Sequence, residues 1–341
     1  MTEPLGTLLA GTGEPALAEL RAALRELAGV HAIVVDEREL KRRVYRVRLA
    51  TAGGWRRLIL KRMDPVQARR TALAVERWLP AVGLDGAGPP LAAVAAARAG
   101  DWVWHVYEDL GDAHLAGASG DDPRVRAAAE LIAALHVRFA DHPLLPECRA
   151  QAGDLGIRAF ETNVRDLGAA LGRILRAGAE PGHAALCERL IARMDALLAQ
   201  RDARAEALDA FGGPETLLHG DLWTTNAFVL DGPDGPRARL IDWDHAGVGP
   251  AAYDLSTFLS RFPPADRPPV LAAYRAAVER AGLALPSAAE LALAFDTAER
   301  GRLAGCGLWP AVAVLDGAPE WGWRQLAAVA EWLDELEPVL A

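Results

Sequence analysis

The stretch LLHGDLWTTNAFVLDGPDGPRARLIDWDHAGVGPAAYDLSTFL, residues 217–259, says most about the fold of this chain. Near its centre, two strand-like runs, AFVL (227–230) and RARLI (237–241), flank the segment DGPDGP. Aspartate, glycine and proline are the residues that tight turns between antiparallel strands favour. The pattern therefore predicts a β-hairpin.

The register of this hairpin decides which polar side chains share its open end. If Leu230 faces Arg237, each step back along the first strand matches one step forward along the second. Asn226 is then expected opposite Ile241, directly before Asp242. An amide and a carboxylate would thus open onto the same end of the hairpin.

The oxygen-bearing side chains near this end suggest phosphate chemistry with a hard cation. Asp221 lies five residues before Asn226, so it is expected to reach the same cleft. Mg²⁺ takes a few oxygen ligands and leaves room for phosphate oxygens, a role that suits Asn226 and Asp242. Asp221 is then free to orient a hydroxyl nucleophile and accept its proton. Each residue alone is also typical of a capped turn, so it is the set that indicates a site.

Three motifs in this stretch resemble those of one known family. HGDLWTTN (219–226) resembles the catalytic loop HGDxxxxN of the aminoglycoside phosphotransferase and choline kinase family. IDWD (241–244) resembles the metal-binding segment of that family, and GPAAYDL (249–255) resembles the segment that follows it. The resemblance implies an enzyme that transfers the γ-phosphoryl group of ATP or GTP to a hydroxyl group of a small molecule.

The resemblance also implies roles for individual residues. Asp221 would be the catalytic base, and Asn226 and Asp242 would bind Mg²⁺. Three more residues would support the site: His219 within the loop, Asp244 as an auxiliary ligand of metal or water, and Asp254 as a brace for the loop.

The first third of the chain has the pattern of a sheet with few helices. Leucines at helical spacing over 14–28 predict one helix, and Asp64-Pro65 predicts the start of another that ends near Leu79. Five runs are strand-like, namely 31–35, 44–50, 57–61, 91–97 and 102–107.

From about Asp122 the apolar spacing becomes helical. The predicted helices span 123–139, 155–177, 183–200, 266–281, 287–304 and 321–336. We therefore expect an α+β, bilobal, protein-kinase-like fold with a small antiparallel-sheet lobe over 1–112, which includes a hinge at 107–112. A mainly helical lobe over 113–341 would hold the catalytic loop and the acceptor site, with the nucleotide between the lobes.

Lysine usage points to a nucleotide contact. Of the 37 basic residues, only Lys41 and Lys61 are lysines. Lys61 ends the third predicted strand, where kinase-like folds place the lysine that grips the α- and β-phosphates. Because a guanidinium does not replace a compact ammonium at a tight phosphate site, the presence of a lysine here favours this role.

Glu76 is the predicted partner of that lysine. Its neighbours Leu73 and Leu79, three residues before and after it, place it on an apolar side of its helix. A carboxylate buried there needs a partner, and Lys61 is the expected one. The alternative is a solvated Glu76 that pairs with an arginine of its own helix.

The hinge and the first hairpin complete the expected nucleotide site. Tyr107, Glu108 and Asp109 begin a segment that resembles the family's hinge, whose backbone would meet the edge of the base. No glycine lies between Val30 and Ala52, so the glycine-rich phosphate loop of protein kinases is missing. We expect side chains of the hairpin tip ERELKRR (37–43) to replace its backbone amides.

Composition limits the partners and the compartment. The net charge of −9 argues against broad binding to nucleic acid or anionic membranes, and no apolar run approaches the length of a membrane span. The three cysteines, Cys148, Cys187 and Cys306, show no metal-binding spacing. Unpaired thiols are typical of a reducing compartment, so we expect a cytoplasmic location.

Several functions remain open. A protein kinase would need a long activation segment, but only nine residues separate Asp244 from Asp254. A catalytically silent nucleotide-binding protein on the same fold is the alternative from another class. The acceptor is expected to be an aminoglycoside, a sugar or an amino alcohol, and HGDLW also resembles fructosamine-kinase-like members, which act on sugar adducts. The net charge of −11 beyond Asp112 favours a cationic acceptor.

Overall fold

The computed structural model describes residues 3–4, 16–29, 33–233 and 235–340. These residues form two compact units, the first of which combines the chain up to Leu115 with the segment Thr225–Ala246. Backbone hydrogen bonds tie that segment to the first unit, since Leu115 donates to Ala227 (3.0 Å) and Leu240 donates to Ala87 (2.7 Å). The first unit is thus built from two separate stretches of chain.

An antiparallel sheet forms the first unit. Within the described ranges it has six strands, β1 (Glu3–Pro4), β2 (Ile33–Lys41), β3 (Val44–Thr51), β4 (Gly54–Met63), β5 (Leu91–Ala96) and β6 (Val103–Glu108). Their order is β1-β2-β3-β4-β6-β5. The predicted five-stranded sheet is confirmed, and the two-residue β1 adds to its edge. Residues 31–32 of the first predicted strand lie outside the described residues.

The two faces of this sheet have different roles. Tyr45, Val47 and Leu49 alternate along β3 and are buried, together with Leu58 and Leu60 of β4. They pack against Leu20 and Leu24 of helix α1 (Leu17–Ala28), which lies within the predicted 14–28. Because side chains alternate across a strand, Ile59 and Lys61 point to the opposite face of the sheet. That face carries the candidate site.

The helix after β4 is longer than expected. Asp64 caps it, because its side chain accepts hydrogen bonds from the amides of Val66 and Gln67 at 3.0 Å each. Helix α2 (Pro65–Leu73) continues through a π-helical turn (Ala74–Trp78) and a final turn α3 (Leu79–Ala81). The predicted end before Pro80 is therefore wrong. The wider π turn accommodates the proline ring, which would clash with a regular helical carbonyl.

The second unit is mainly helical. Its helices are α4 (Pro123–Phe139), α5 (Leu145–Ala152), α6 (Ile157–Ala177), α7 (Pro181–Ala199), α8 (Arg201–Phe211), α9 (Ala252–Ser260), α10 (Arg267–Arg280), α11 (Ala288–Leu315) and α12 (Pro319–Glu335). The six predicted helices are confirmed, α11 extends eleven residues beyond 304, and α5 and α8 were not predicted. Strands β7 (Glu215–Leu218) and β10 (Gly247–Pro250) pair antiparallel in this unit.

The core of the second unit lies between α6 and α11. Val164, Leu167 and Leu171 of α6 are fully buried, as is Ala304 of α11. These apolar faces have the helical spacing from which the helices were predicted. Among the helices of the described residues, none has the length and apolar character needed to cross a membrane.

Candidate active site

A buried carboxylate in the second unit shapes the loop that carries Asp221. Asp254, on the first turn of α9, is fully buried. Its two oxygens accept hydrogen bonds from the backbone amides of His219 (2.6 Å) and Gly220 (2.9 Å). Two charge-assisted bonds to successive amides fix the backbone directly before Asp221. A supporting role for this loop is the one that the sequence predicts for Asp254.

The rings of His136 and Tyr274 position the Asp254 carboxylate. His136, on α4, is buried, and its Nε2 lies 3.5 Å from the Asp254 carboxylate. The Nδ1 atom of His136 hydrogen-bonds the hydroxyl of Tyr274 at 2.8 Å. Burial, reinforced by the charge of Asp254, raises the pKa of Tyr274, so its hydroxyl stays protonated.

The loop over residues 219–226 turns sharply at Asp221. The backbone amide of Asp221 donates to Nδ1 of the fully buried His219 at 3.3 Å, and the amide of Trp223 donates to the carbonyl of Asp221 at 2.9 Å. The His219 ring therefore supports the backbone, and its Nδ1 is the acceptor. The Asp221 side chain remains partly exposed.

The hairpin of the first unit has the predicted register. Strands β8 (Ala227–Gly232) and β9 (Gly235–Leu240) pair with Leu230 opposite Arg237. At the open end, the amide of Ile241 donates to the carbonyl of Asn226 at 2.9 Å. Asn226 is buried at this end, next to the chain segment that carries Asp242. The turn residue at position 234 lies outside the described residues.

Asp242 has an unusual backbone conformation. Its φ of 69° and ψ of 52° place it in the left-handed region, which costs energy for residues other than glycine, although aspartate tolerates it better than most. Such outliers concentrate at functional sites. The conformation turns the chain out of β9 and into the 3₁₀ turn Trp243–His245.

Both lysines of the protein contact Asp242. Lys61 binds one of its oxygens directly, and Nζ of Lys41 lies 3.2 Å from the other. Lys61 also donates to Asp244 at 2.9 Å. Sequence reasoning had placed Lys41 in the hairpin tip without a partner. Its rarity as one of two lysines was the signal that could have identified it.

Charge compensation keeps these groups ionised. Burial acts to raise the pKa of Asp242, but Lys61 and Lys41 outweigh it and hold that pKa well below its ordinary value. Burial acts to lower the pKa of Lys61, but Asp242 and Asp244 hold that pKa above its ordinary value. Near neutral pH the centre therefore contains ammonium and carboxylate groups in contact.

Glu76 is not the partner of Lys61. Its side chain is exposed, so the expectation that it faces inward is wrong, and the Lys61 ammonium is satisfied by Asp242 and Asp244. The physical reason is the π-helical turn, which contains Glu76. A π turn adds one residue to the helix and thereby rotates the following side chains away from the regular 3.6-residue spacing.

A cavity of about 250 Å³ lies beside these charges in the first unit. It is lined by Lys61 and Asp242 at one side, and the segment from Tyr107 to Gly111 also lines it. Val44 and Ile59 add apolar surface. An apolar cavity with a few polar groups has the character of a small-ligand site.

The hinge segment uses most of its polar groups internally. The amide of Glu108 donates to Pro90 (3.0 Å) and that of Asp109 donates to Arg57 (3.1 Å). The Asp109 side chain accepts from the amide of Gly111 at 2.9 Å. Three of the four amides of segment 108–111 are thus used within the protein.

Side-chain charges hold the same segment. Arg46 lies 3.2 Å from the Asp109 carboxylate and donates to the carbonyl of Gly111 at 3.0 Å. Arg56 pairs with Glu108. The carboxylates of both predicted contact residues thus have arginine partners, and Arg46 is a supporting residue that the sequence did not reveal.

Tyr107 belongs to a buried pair at the base of the cavity. Its hydroxyl lies 2.8 Å from Nδ1 of His105. Burial, with a contribution from Lys61, lowers the pKa of His105 to about 4. Burial, aided by Asp242, Asp244 and Glu76, raises the pKa of Tyr107. Both rings are neutral at neutral pH and add no charge to the site.

The donor set of the first unit fits a hard cation. Within the described ranges, no group of three or more histidine, cysteine, aspartate or glutamate side chains is placed to hold a metal. Asp242 and Asp244 nevertheless already bind one cation, the Lys61 ammonium, and Asn226 supplies an amide oxygen at the same hairpin end. Mg²⁺ is commonly bound by one or two carboxylates, with phosphate oxygens and water completing the shell.

Comparison with known proteins identifies a family and a fold. Residues 33–291 match the phosphotransferase enzyme family, and no curated protein sequence matches the chain. The fold resembles that of Plasmodium vivax ethanolamine kinase, with a TM-score of 0.60 and 10% identity over 94% of this chain and 90% of that chain.

Two antibiotic kinases have similar folds. The macrolide 2′-phosphotransferase of Brachybacterium faecium gives a TM-score of 0.55 and 19% identity over 94% of this chain and 99% of that chain. A spectinomycin phosphotransferase, solved with ADP and spectinomycin, gives 0.56 and 12% identity over 95% of each chain. At these identities the structural similarity shows the fold alone. The match over 33–291 spans most of the chain, which therefore belongs to the phosphotransferase enzyme family, the small-molecule kinases.

Proposed function

We propose that this protein transfers the γ-phosphoryl group of ATP or GTP to a hydroxyl group of a small molecule, with Mg²⁺ as its metal ion. One observation carries the proposal, namely that Lys61 binds Asp242 and Asp244 at the edge of the 250 Å³ cavity. A lysine, two carboxylates and an apolar cavity are the parts that a magnesium nucleotide requires.

The first unit supplies the nucleotide-binding groups. Lys61 and Lys41 carry positive charge toward the phosphates, and the segment from Tyr107 to Gly111 receives the base. Asn226 and Asp242 would hold Mg²⁺, with Asp244 as an auxiliary ligand. When bound, the metal neutralises phosphate charge and so lowers the barrier to transfer. Lys61 keeps the two carboxylates in place before the nucleotide binds.

Asp221 supplies the proton acceptor. The acceptor hydroxyl oxygen forms a bond to the γ-phosphorus while the bond from that phosphorus to the bridging oxygen breaks, and the hydroxyl proton moves to the Asp221 carboxylate. The nucleoside diphosphate leaves with the bridging oxygen. Asp254 and His219 hold the loop so that the carboxylate of Asp221 is pre-positioned.

A transfer assay tests the function. We expect the purified protein to convert labelled ATP or GTP to the diphosphate and a phosphorylated acceptor, and to lose this activity when a chelator removes magnesium. The acceptor panel should contain sugars, aminoglycosides, amino alcohols and a sugar-amine adduct. Nucleotide binding without transfer to any hydroxyl compound would instead favour a silent nucleotide-binding protein.

Replacement of Lys41 should weaken nucleotide binding. In Lys41→Met, one of the two ammonium groups at Asp242 is lost, and we expect the KM for the nucleotide to rise about 3- to 10-fold, because this lysine is 63% exposed and its charge is screened. Steady-state kinetics at saturating acceptor measure the change.

Arg42→Met, at the next and equally exposed position of the hairpin tip, is the matched control. It removes one positive charge from the same turn without removing a partner of Asp242. Equal effects of the two substitutions would show that Lys41 acts only through general surface charge.

A further inference from the structure

The surroundings of Asp221 in the second unit contain more positive charge than the acidic composition of this region suggests. Trp223 follows Asp221 by two residues, and the guanidinium of Arg261 stacks on its indole ring at 3.7 Å from the ring centre. The backbone amide of Trp223 donates to the carbonyl of Asp221, and the charge of Asp221 acts on Arg261. Arg261 is the C-cap residue directly after α9.

Arg302 is a second arginine that contacts the same carboxylate as Arg261. Arg302, on α11, donates to the carboxylate of Glu299 at 2.6 Å, and Arg261 lies 3.8 Å from the same carboxylate. Glu299 is fully buried and also accepts a hydrogen bond from Thr257 at 2.9 Å. Two guanidinium groups thus share one buried carboxylate.

The charges of this cluster do not cancel without Asp221. Burial and repulsion from Arg302 lower the pKa of Arg261, whereas the charges of Glu299 and Asp221 act in the opposite direction. Asp221 is therefore within electrostatic reach of Arg261. Among the described side chains, the buried Nε atoms of Arg261 and Arg302 have no hydrogen-bond partner. Arg261 and Arg302 against Glu299 leave one net positive charge within electrostatic reach of Asp221, and the Arg261 side chain keeps 21% of its surface exposed there.

We propose that the acceptor carries an anionic group, a carboxylate or a phosphate, which binds Arg261 and Arg302 while its hydroxyl faces Asp221. This inference rests on the proposed function, since it names the substrate class of the same site. A planar guanidinium matches a carboxylate or phosphate through two parallel hydrogen bonds. A cationic acceptor such as an aminoglycoside would meet like charge at this point. The local pair of arginines outweighs the net acidity of the region, because distant surface charges are screened by salt.

A set of acceptors that differ in one substituent tests the proposal. Glycerate, glycerol 3-phosphate, glycerol and 3-amino-1,2-propanediol share a three-carbon diol, and glucuronate, glucose 6-phosphate, glucose and glucosamine share a six-carbon sugar ring. Labelled-nucleotide transfer and calorimetric binding should both be measured for every compound. Within each series, we expect the anionic compounds to give the fastest turnover and the tightest binding. The carboxylate and the phosphate of one series then show which anion the site prefers.

Substitutions of Arg261 test whether the preference for anionic acceptors comes from the arginines. Arg261→Gln should raise the KM for the anionic acceptor about 10- to 100-fold, the loss expected for hydrogen bonds to a charged group, with little change in the KM for the nucleotide. Arg261→Lys should retain part of the preference, because it keeps the charge. Arg300→Gln is the control, since Arg300 lies on α11, the helix that carries Arg302, and pairs with Asp296 at 2.7 Å.

The outcomes separate this inference from the proposed function. A best acceptor that is neutral or cationic, or an Arg261→Gln variant that loses activity equally for charged and neutral acceptors, would overturn the inference and leave phosphotransfer intact. Absence of transfer to every compound would contradict the function. In that case the inference stands only if the anionic compounds bind and Arg261→Gln abolishes their binding, and it fails otherwise.

Discussion

Asp221→Asn is expected to lower kcat by about 10²- to 10⁴-fold, the usual contribution of a positioned general base. The amide keeps the shape of the side chain but cannot accept the proton of the acceptor hydroxyl. The affinity for the magnesium nucleotide should change by less than about threefold, because the proposed nucleotide ligands lie on other residues. Single-turnover transfer and calorimetric nucleotide titration measure the two quantities.

Asp209→Asn is the control for this experiment. Asp209 is an exposed aspartate of the same unit and should tolerate the change with normal kinetics. If Asp221→Asn lost nucleotide binding as severely as transfer, or kept near-normal transfer, Asp221 would not be the base.

Asp242→Asn should reduce nucleotide binding and transfer together. The substitution removes a carboxylate that pairs with Lys61 and Lys41 and that would bind Mg²⁺. We expect the affinity for the magnesium nucleotide to fall at least about 10- to 100-fold, the range found for residues that support metal ligands. Asparagine is the right substitute because it tolerates the left-handed backbone at this position, whereas alanine would add strain. Calorimetry with and without magnesium measures the loss.

Asp231→Asn controls for removal of a negative charge from the same hairpin. Asp231 is exposed near the turn, far along β8 from Asn226. A variant at Asp242 that bound magnesium nucleotide normally, yet failed in transfer, would exclude Asp242 as a nucleotide-metal ligand and leave it a role in catalysis alone.

Local patterns predicted the parts of the site that depend on neighbouring residues. The register of Leu230 with Arg237 follows from the turn between them, so Asn226 and Ile241 could be paired from sequence. The cap at Asp64 is equally local. The pairing of Lys61 with Asp242 spans 181 residues, and only the motif resemblance indicated that both serve one nucleotide. The spacing of apolar residues along the chain does not predict such a long-range contact.

The sequence predictions were wrong where packing or helix geometry overrides the preference of the local sequence. The π turn that exposes Glu76 has no sequence signature in a helix of ordinary composition. Helix α11 was expected to span 287–304 from its apolar spacing, yet it continues to Leu315. A Cβ atom at Gly307 would lie 2.9 Å from Leu167, so that glycine allows close approach of α6 rather than ending the helix.

The meeting of Lys41 and Lys61 at one carboxylate has a practical consequence for handling the protein. Because these are the only two side-chain amines of the chain, amine-reactive dyes, crosslinkers and activated supports have no lysine to modify outside the proposed nucleotide site. Lys41 is the accessible one of the pair. Acylation of that side chain, whether by a reagent or by a cellular acyl donor, would remove its charge beside Asp242. Arginine- or thiol-directed attachment avoids this centre.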